Sequence, residues 1–191
     1  FSKIGYDIIG RIFEGLIPQA ERHNLGQYFT NADVVDIISK FCIRHEDDKV
    51  LDPSCGAGTF LVRAYQHKKL MNLRKPHQEI LKTLWGVDIA KFPSHLSTIN
   101  LAVNDLSVDE NYPQILNEDF FNLSPIEKMG GEEMRKKELK TLGIKRVFIP
   151  YPRTVDCIIG NPPYISIREQ EESFRNFIKS SYKYSGGADI Y

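Results

Sequence analysis

From Lys49 onward, short apolar runs alternate with helical patterns, and this alternation restricts the possible folds more than any other feature of the chain. Lys49-Val50-Leu51-Asp52, Leu84-Trp85-Gly86-Val87-Asp88 and Val155-Asp156-Cys157-Ile158-Ile159-Gly160 read as buried strands. A further strand runs through Ile115-Leu116 and ends near Asn117-Glu118-Asp119-Phe120. Helices are predicted from Thr59 to about Lys69 and from about Phe92 to Val103. A helix between two strands returns the chain to the same end of the sheet, so the strands must pair in parallel. The expected architecture is a doubly wound, mostly parallel α/β sheet.

Other segments flank or interrupt this rhythm. Ile8, Ile9, Ile12, Phe13, Leu16 and Ile17 recur at helical spacing, and Pro18 ends or bends that helix. A glycine-bearing loop, Gly26-Gln27-Tyr28-Phe29-Thr30-Asn31, precedes a helix predicted from about Ala32 to Phe41, with Thr30 or Asn31 as its N-cap. Residues 1–48 are therefore a helical lead-in and residues 49–191 an α/β core. The stretch from about Leu123 to Arg153 holds Gly130-Gly131 and a charged run from Glu132 to Lys140, and reads as an insertion with a solvated helix. Only four strands occur before Tyr191, and the chain opens on Phe1 instead of Met. The sheet is thus expected to be incomplete at its C-terminal side, and the chain to be a fragment.

Composition limits what the chain can bind. Lys plus Arg number 25 and Asp plus Glu number 25, so the formal net charge is zero. A nucleic-acid partner would have to be gripped by local patches or by another part of the protein. No apolar run approaches the roughly 18 residues that span a bilayer, and no signal pattern opens the chain, so a cytoplasmic protein is expected. Cys42, Cys55 and Cys157 form neither a CxxC pair nor an even-numbered disulfide set. The five histidines are scattered, without an HExxH arrangement, and no metal site is expected.

In an open parallel sheet, ligands bind beyond the carboxyl ends of the strands. Four constellations fall there. Asp52-Pro53-Ser54-Cys55-Gly56-Ala57-Gly58-Thr59-Phe60 turns from the first strand into a helix, and its two glycines let a ligand approach the backbone. A dinucleotide fingerprint would need Gly where Leu61 stands, so a phosphate-free nucleoside suits the loop better than a pyrophosphate. Asp52, just before the loop, suits a cationic amino-acid moiety. Asp88 ends the second strand, where a carboxylate can accept from both ribose hydroxyls. At the third strand end, Asp119 can accept from an exocyclic amine and Phe120 can stack on a purine.

The fourth constellation, Asn161-Pro162-Pro163-Tyr164, is the most specific. Successive prolines stiffen the turn and offer no backbone donors, leaving carbonyl groups as acceptors. The Asn161 amide oxygen and the Pro162 carbonyl can both accept from one NH2 group, and Tyr164 can stack on the ring that bears it. An amine conjugated to a ring is a poor nucleophile. Two acceptors on its protons favour the tetrahedral geometry that its attack requires.

On these residues the chain resembles the amino-methylating DNA methyltransferases of restriction–modification systems. It is most similar to the adenine-N6 group that includes type I modification subunits and fused restriction–modification enzymes. The resemblance runs from about Gly5 to Tyr191. It implies a Rossmann-like S-adenosylmethionine-dependent methyltransferase fold acting on adenine N6 in DNA. By resemblance, Gln27, Tyr28, Phe29 and Thr30 belong to the segment that covers the methionine end of S-adenosylmethionine. Asp52, Pro53, Cys55, Gly56, Gly58 and Phe60 fall in the cofactor loop, Asp88 and Ile89 at the ribose position, and Asp119 and Phe120 at the adenine position. Asn161, Pro162, Pro163 and Tyr164 match the catalytic tetrad, and Asp189-Ile190-Tyr191 resembles the start of the next motif. Asn31 stands where the family often has Pro. The later sheet motifs and a target recognition domain have no counterpart in the chain, which implies a recognition domain or specificity subunit, and a nuclease, elsewhere.

Direct attack of an amine on a sulfonium methyl needs no covalent enzyme intermediate, so Cys55 is a small loop residue and not a nucleophile. Glu138-Leu139-Lys140 matches part of a nuclease signature, but it lies in a charged run where such triplets arise by chance. Two alternatives remain: a methyltransferase of a protein glutamine or RNA amine, and a cofactor-binding fragment without catalysis.

Overall fold

The computed structural model describes residues 30–108, 111–123, 136–139, 147–150, 152, 154–164 and 172–181. Helix α1 spans Ala32–Cys42 and is capped by Asn31, whose side chain accepts from the Asp33 N–H at 2.8 Å. Of the two expected caps, Asn31 takes the role. There follow β1 (Val50–Asp52), α2 (Thr59–Met71), the short α3 (His77–Leu81), β2 (Leu84–Asp88), α4 (Lys91–Ala102) and β3 (Gln114–Asn117). A 3-10 turn (Phe120–Asn122), β4 (Lys136–Leu139), β5 (Val147–Pro150), β6 (Cys157–Ile158) and α5 (Glu172–Ser181) complete the described elements.

The main sheet has the order β3-β2-β1-β6, with every pair parallel. The chain builds outward from β1 through β2 to β3, then returns to place β6 on the other side of β1. The strand order thus reverses between β1 and β6, and in open α/β sheets the ligand crevice lies at the carboxyl ends of the strands at such a reversal. All five residues of β2 are buried, as in a parallel sheet covered on both faces. Val35, Val50, Leu61, Ile80, Leu81, Leu84 and Leu101 form the centre of the core. An Arg63–Asp36 ion pair at 3.4 Å joins α2 to α1.

Two buried lysines shape the turn that feeds β1. Lys68 Nζ donates to the carbonyls of Glu46 and Asp48, and Lys75 Nζ donates to the Glu46 carbonyl and the Asp47 carboxylate. Burial, together with the charge of Lys75, pushes Lys68 down to about 8. One turn earlier on α2, Tyr65 Oη lies 2.8 Å from His77 Nδ1, and His77 Nε2 lies 3.0 Å from Asn111 Oδ1. The Asn111 amide nitrogen donates to the carbonyls of Ala102 and Asp105, so its oxygen faces His77 as an acceptor. His77 therefore carries its proton on Nε2 and accepts from Tyr65.

Sequence and structure part in several places. The charged run Glu132 to Lys140 was expected to be helical, but Lys136–Leu139 is a strand, paired antiparallel with Val147–Pro150 in a separate two-stranded sheet. A charged segment without an apolar stripe gains little from packing as a helix, whereas the β-favouring Val147-Phe148-Ile149 offers it a ladder. The fourth core strand was expected over 155–160, but its ladder is confined to Cys157–Ile158. Flanking backbone bonds extend the contact: Asp156 and Cys157 donate to the Lys49 carbonyl, and Ile159 to that of Leu51. Helices α3 and α5 were not foreseen. The helix expected around Ile8–Ile17 lies outside the described residues.

Gly86 is the tightest point of the central sheet. A Cβ there would lie 2.6 Å from Leu61 Cδ1, 2.7 Å from Ile115 Cδ1 and 3.0 Å from Cys55 Sγ. Gly86→Ala is expected to destabilise the fold by about 1–3 kcal/mol through overpacking. Urea denaturation checks this, and a loss below about 0.5 kcal/mol would show that the core yields easily at this point.

Candidate active site

The turn after β1 is sewn to the end of β2. The Cys55 N–H donates to the Val87 carbonyl at 2.9 Å, and the Gly56 N–H donates to Asp88 Oδ2 at 2.8 Å. Asp88 Oδ1 accepts from the Ala90 N–H at 2.8 Å. Asp88 therefore holds the loop as well as facing the crevice. Each carboxylate oxygen keeps a further lone pair, so ligand hydroxyls can still be accepted. Gly56 and Gly58 have φ of 52° and 86°, a left-handed region that side chains rarely adopt.

Helix α4 supports the loop from behind. Asn100 Nδ2 donates to the Ala57 carbonyl at 2.9 Å, and a Cβ on Gly58 would lie 2.4 Å from Ser97 Oγ. Ser97 and Asn100 were not found by sequence reading. The available signal was a run of small and polar residues on the inner face of an otherwise ordinary helix, which has no meaning until the loop is placed against it.

Asp52, at the end of β1, is 1% exposed, and Asp88 is 9% exposed. Burial pushes Asp52 up to about 7, the nearby Asp88 charge adds to the rise, and the Ser54 N–H, donating at 3.1 Å, opposes it. Burial also raises Asp88 above the usual carboxylate range. Neither pairs with a cation among the described residues. Burial pushes the Cys55 thiol well above its ordinary value. Phe60 is 4% exposed within the core and presents little surface to a ligand.

The other predicted residues line the same end of the sheet. Ile89 is 67% exposed and Phe120 is 37% exposed, so both offer apolar surface beyond β2 and β3. Asn117 donates to the carbonyls of Asp88 and Ile89, fastening these two strand ends together. Asp119 caps the 3-10 turn through Oδ1, which accepts from the Phe121 N–H at 2.9 Å. Pro53 is half-buried at the start of the loop. Gln27, Tyr28 and Phe29 lie outside the described residues.

Beyond β6 the tetrad comes close to β1. A Cβ on Gly160 would stand 2.6 Å from Asp52 Oδ1, so only glycine lets the strand end pass this carboxylate. Gly160 is a third residue whose role was not legible in the sequence. Asn161 follows, half-buried, with Nδ2 donating to Thr30 Oγ1 at 3.0 Å and Oδ1 accepting from the Tyr164 hydroxyl at 3.0 Å. Pro162 and Pro163 are half-buried and Tyr164 is exposed. Thr30, Asp52, Asp88 and Asn161 are thus gathered from four segments around one crevice.

Comparison with known proteins identifies the family. The family profile described as N-6 DNA Methylase matches residues 4–185. The chain belongs to the N-6 DNA methylase family. Its curated relatives include the type I restriction enzyme MjaVII methylase subunit of Methanocaldococcus jannaschii, 34% identical over 36% of this chain and 12% of the relative. DNA methyltransferase A of Bacillus subtilis is 20% identical over 95% of this chain and 25% of the relative. Among solved structures, a type I restriction–modification system chain aligns with TM-score 0.57 at 19% identity, over 96% of this chain and 32% of the other. The type IIL restriction–modification enzyme MmeI in complex with DNA aligns with TM-score 0.57 at 16% identity, over 99% of this chain and 30% of the other. This N-6 DNA methylase chain has the Rossmann-like fold of those neighbours and spans 12–25% of the length of the curated relatives named here. Among its described residues no helix is long and apolar enough to cross a membrane.

The buried carboxylate of β1 gives a pH signature. Its folded-state pKa of about 7 lies above the ordinary value of 3.8, so the folded protein holds the proton more tightly than the unfolded chain. The resulting stability is full below about pH 4 and is lost as pH rises through about 7, on the order of a few kcal/mol. Asp52→Asn can still accept from Ser54 and carries no charge to bury. Without ligand, the stability difference between wild type and Asp52→Asn should move in the variant's favour between about pH 4 and 7 and level off above that. Urea denaturation across that range measures it, and a constant difference would contradict the assignment.

Proposed function

We propose that this chain carries the cofactor site and the amine-activating site of a methyltransferase that moves a methyl group from S-adenosylmethionine to adenine N6 in DNA, within a restriction–modification system. The observation that carries the reading is the setting of Asn161: an amide held at both ends, at the strand end beyond the switch point, beside a buried carboxylate. The crevice suits a ligand with a cationic end and hydroxyl groups. Asp52 and Asp88 have no cation partner among the described residues, and the buried Ser54 Oγ has no hydrogen-bond partner there. At Gly56 a Cβ would meet nothing within 4 Å, which leaves open space above the loop.

When bound, S-adenosylmethionine supplies a methyl group on a positively charged sulfur. On this reading Asp52 balances positive charge near the amino-acid end, and the remaining lone pairs of Asp88 accept from ribose hydroxyls. Ile89 and Phe120 flank the adenine ring, and the second oxygen of Asp119 accepts from its amine. Gln27, Tyr28 and Phe29 contribute to the cover over the methionine end. Across the crevice, Asn161 Oδ1 and the Pro162 carbonyl accept from the target amine. They draw it toward tetrahedral geometry and stabilise the positive charge that develops on nitrogen. Tyr164 offers its exposed ring face for stacking. A base inside a duplex cannot present its amine to such a crevice, so the target adenine is flipped out.

Several further assignments go with this reading. Residues 1–48 act as a lead-in and 49–191 as the catalytic core, with about 123–153 as an insertion. With zero net charge, the chain leaves much of the phosphate grip to a target-recognition domain or specificity subunit, and cleavage to a nuclease. The protein works in the cytoplasm. The test uses the full-length protein with its co-purifying subunits, labelled S-adenosylmethionine and unmodified genomic DNA. Label is expected in N6-methyladenine, with the Asn161→Ala rate lower by about 10²–10³-fold. Label in protein glutamine or RNA instead would transfer the reading to that substrate. Cofactor binding without transfer would identify a non-catalytic module.

A further inference from the structure

We propose that Thr30 is a positioning residue for the amide of Asn161, not only part of the cofactor cover. The inference rests on the function proposed above and adds a part to its site. An asparagine amide has one accepting and one donating end, of nearly the same size. To receive the protons of a target amine, Asn161 must present Oδ1. Turned by half a rotation, it would present Nδ2, and two sets of donors would face each other.

The contacts that hold the amide come from opposite directions. Nδ2 donates to Thr30 Oγ1 at 3.0 Å, across 131 positions of sequence, and Oδ1 accepts from the Tyr164 hydroxyl at 3.0 Å, three residues away. Tyr164 is 56% exposed, and the loop it stands on is the one that receives the target base. Thr30 stands on firmer ground. It directly precedes Asn31, which caps α1 through both its side chain and its carbonyl, the latter accepting from the Val35 N–H at 3.1 Å. Helix α1 in turn packs on α2, the helix that leaves the glycine loop. The Thr30 hydroxyl is therefore fixed in the same frame as the cofactor loop. In the observed orientation it accepts from Nδ2 with Oδ1 on the far side of the amide, anchors the amide there, and polarises it so that Oδ1 is the stronger acceptor.

Thr30→Val keeps the shape and removes the acceptor, whereas Thr30→Ser keeps the acceptor. With the full-length protein and its co-purifying subunits, single-turnover methylation of unmodified genomic DNA is expected to slow about tenfold in Thr30→Val, the effect of one hydrogen bond on the transferring step. Affinity for S-adenosylmethionine, measured by calorimetry, should stay within about twofold of wild type, and Thr30→Ser should recover most of the rate. A Thr30→Val rate equal to wild type overturns the inference. So does a slow rate that is matched by weakened cofactor binding, because Thr30 would then be a cofactor contact alone. If wild type itself labels no adenine, the function reading fails together with this inference. If wild type is active and Asn161→Ala is inactive, an unimpaired Thr30→Val removes this inference and leaves the function reading intact.

Discussion

The site depends on β1 being paired on both edges. Because β2 and β6 flank it in parallel, the ends of all three strands open on the same side, and loops that are far apart in sequence meet there. The register is held by backbone bonds at the entry and at the exit of the strand. Lys49 accepts from Asp156 and Cys157, and Leu51 accepts from Ile159. A shift of this pairing by one residue would take Gly160 away from Asp52 and turn the tetrad out of the crevice.

Electrostatics within this frame are unusual for a cofactor-free core. Two carboxylates are buried at neighbouring strand ends, and backbone N–H groups are their only partners among the hydrogen bonds described. Such an arrangement costs stability, which is why Asp52 holds its proton to about pH 7. On the proposed function, this cost is offset when a ligand brings positive charge and hydroxyl donors. Two carboxylates at this position discourage an anionic ligand.

The loop is rigid for reasons that lie mostly outside it. Asp88 accepts from Gly56, Val87 accepts from Cys55, and Asn100 donates to Ala57, so β2 and α4 together set its path. Crowding around Gly58 and Gly86 leaves little freedom to re-model these contacts. A site held in this way needs little reorganisation when a ligand enters, and preorganised dipoles are most effective in that condition.

Much of this was legible in the linear chain. Apolar runs separated by helical patterns determined a parallel sheet, because a right-handed crossover leaves little choice, and ligand-facing residues then had to fall at the strand ends. Asp52, Asp88 and Asn161 were singled out for that reason, and the fold places all three at or just beyond strand ends, while the boundaries of α2 and α4 were close to those observed. Where local pattern misled, as in the charged run that forms β4, pairing with a distant β-favouring segment outweighed local preference. The sequence could not say that Asp88 also ties down the loop, that Ser97 and Asn100 support it, or that Gly160 makes room for Asp52. It could not assign Thr30 to Asn161. Those relations join residues tens of positions apart or more, and only the pairing of β1 with β2 and β6, with the packing of α4 on the sheet and α1 on α2, brings their atoms within hydrogen-bonding or van der Waals distance.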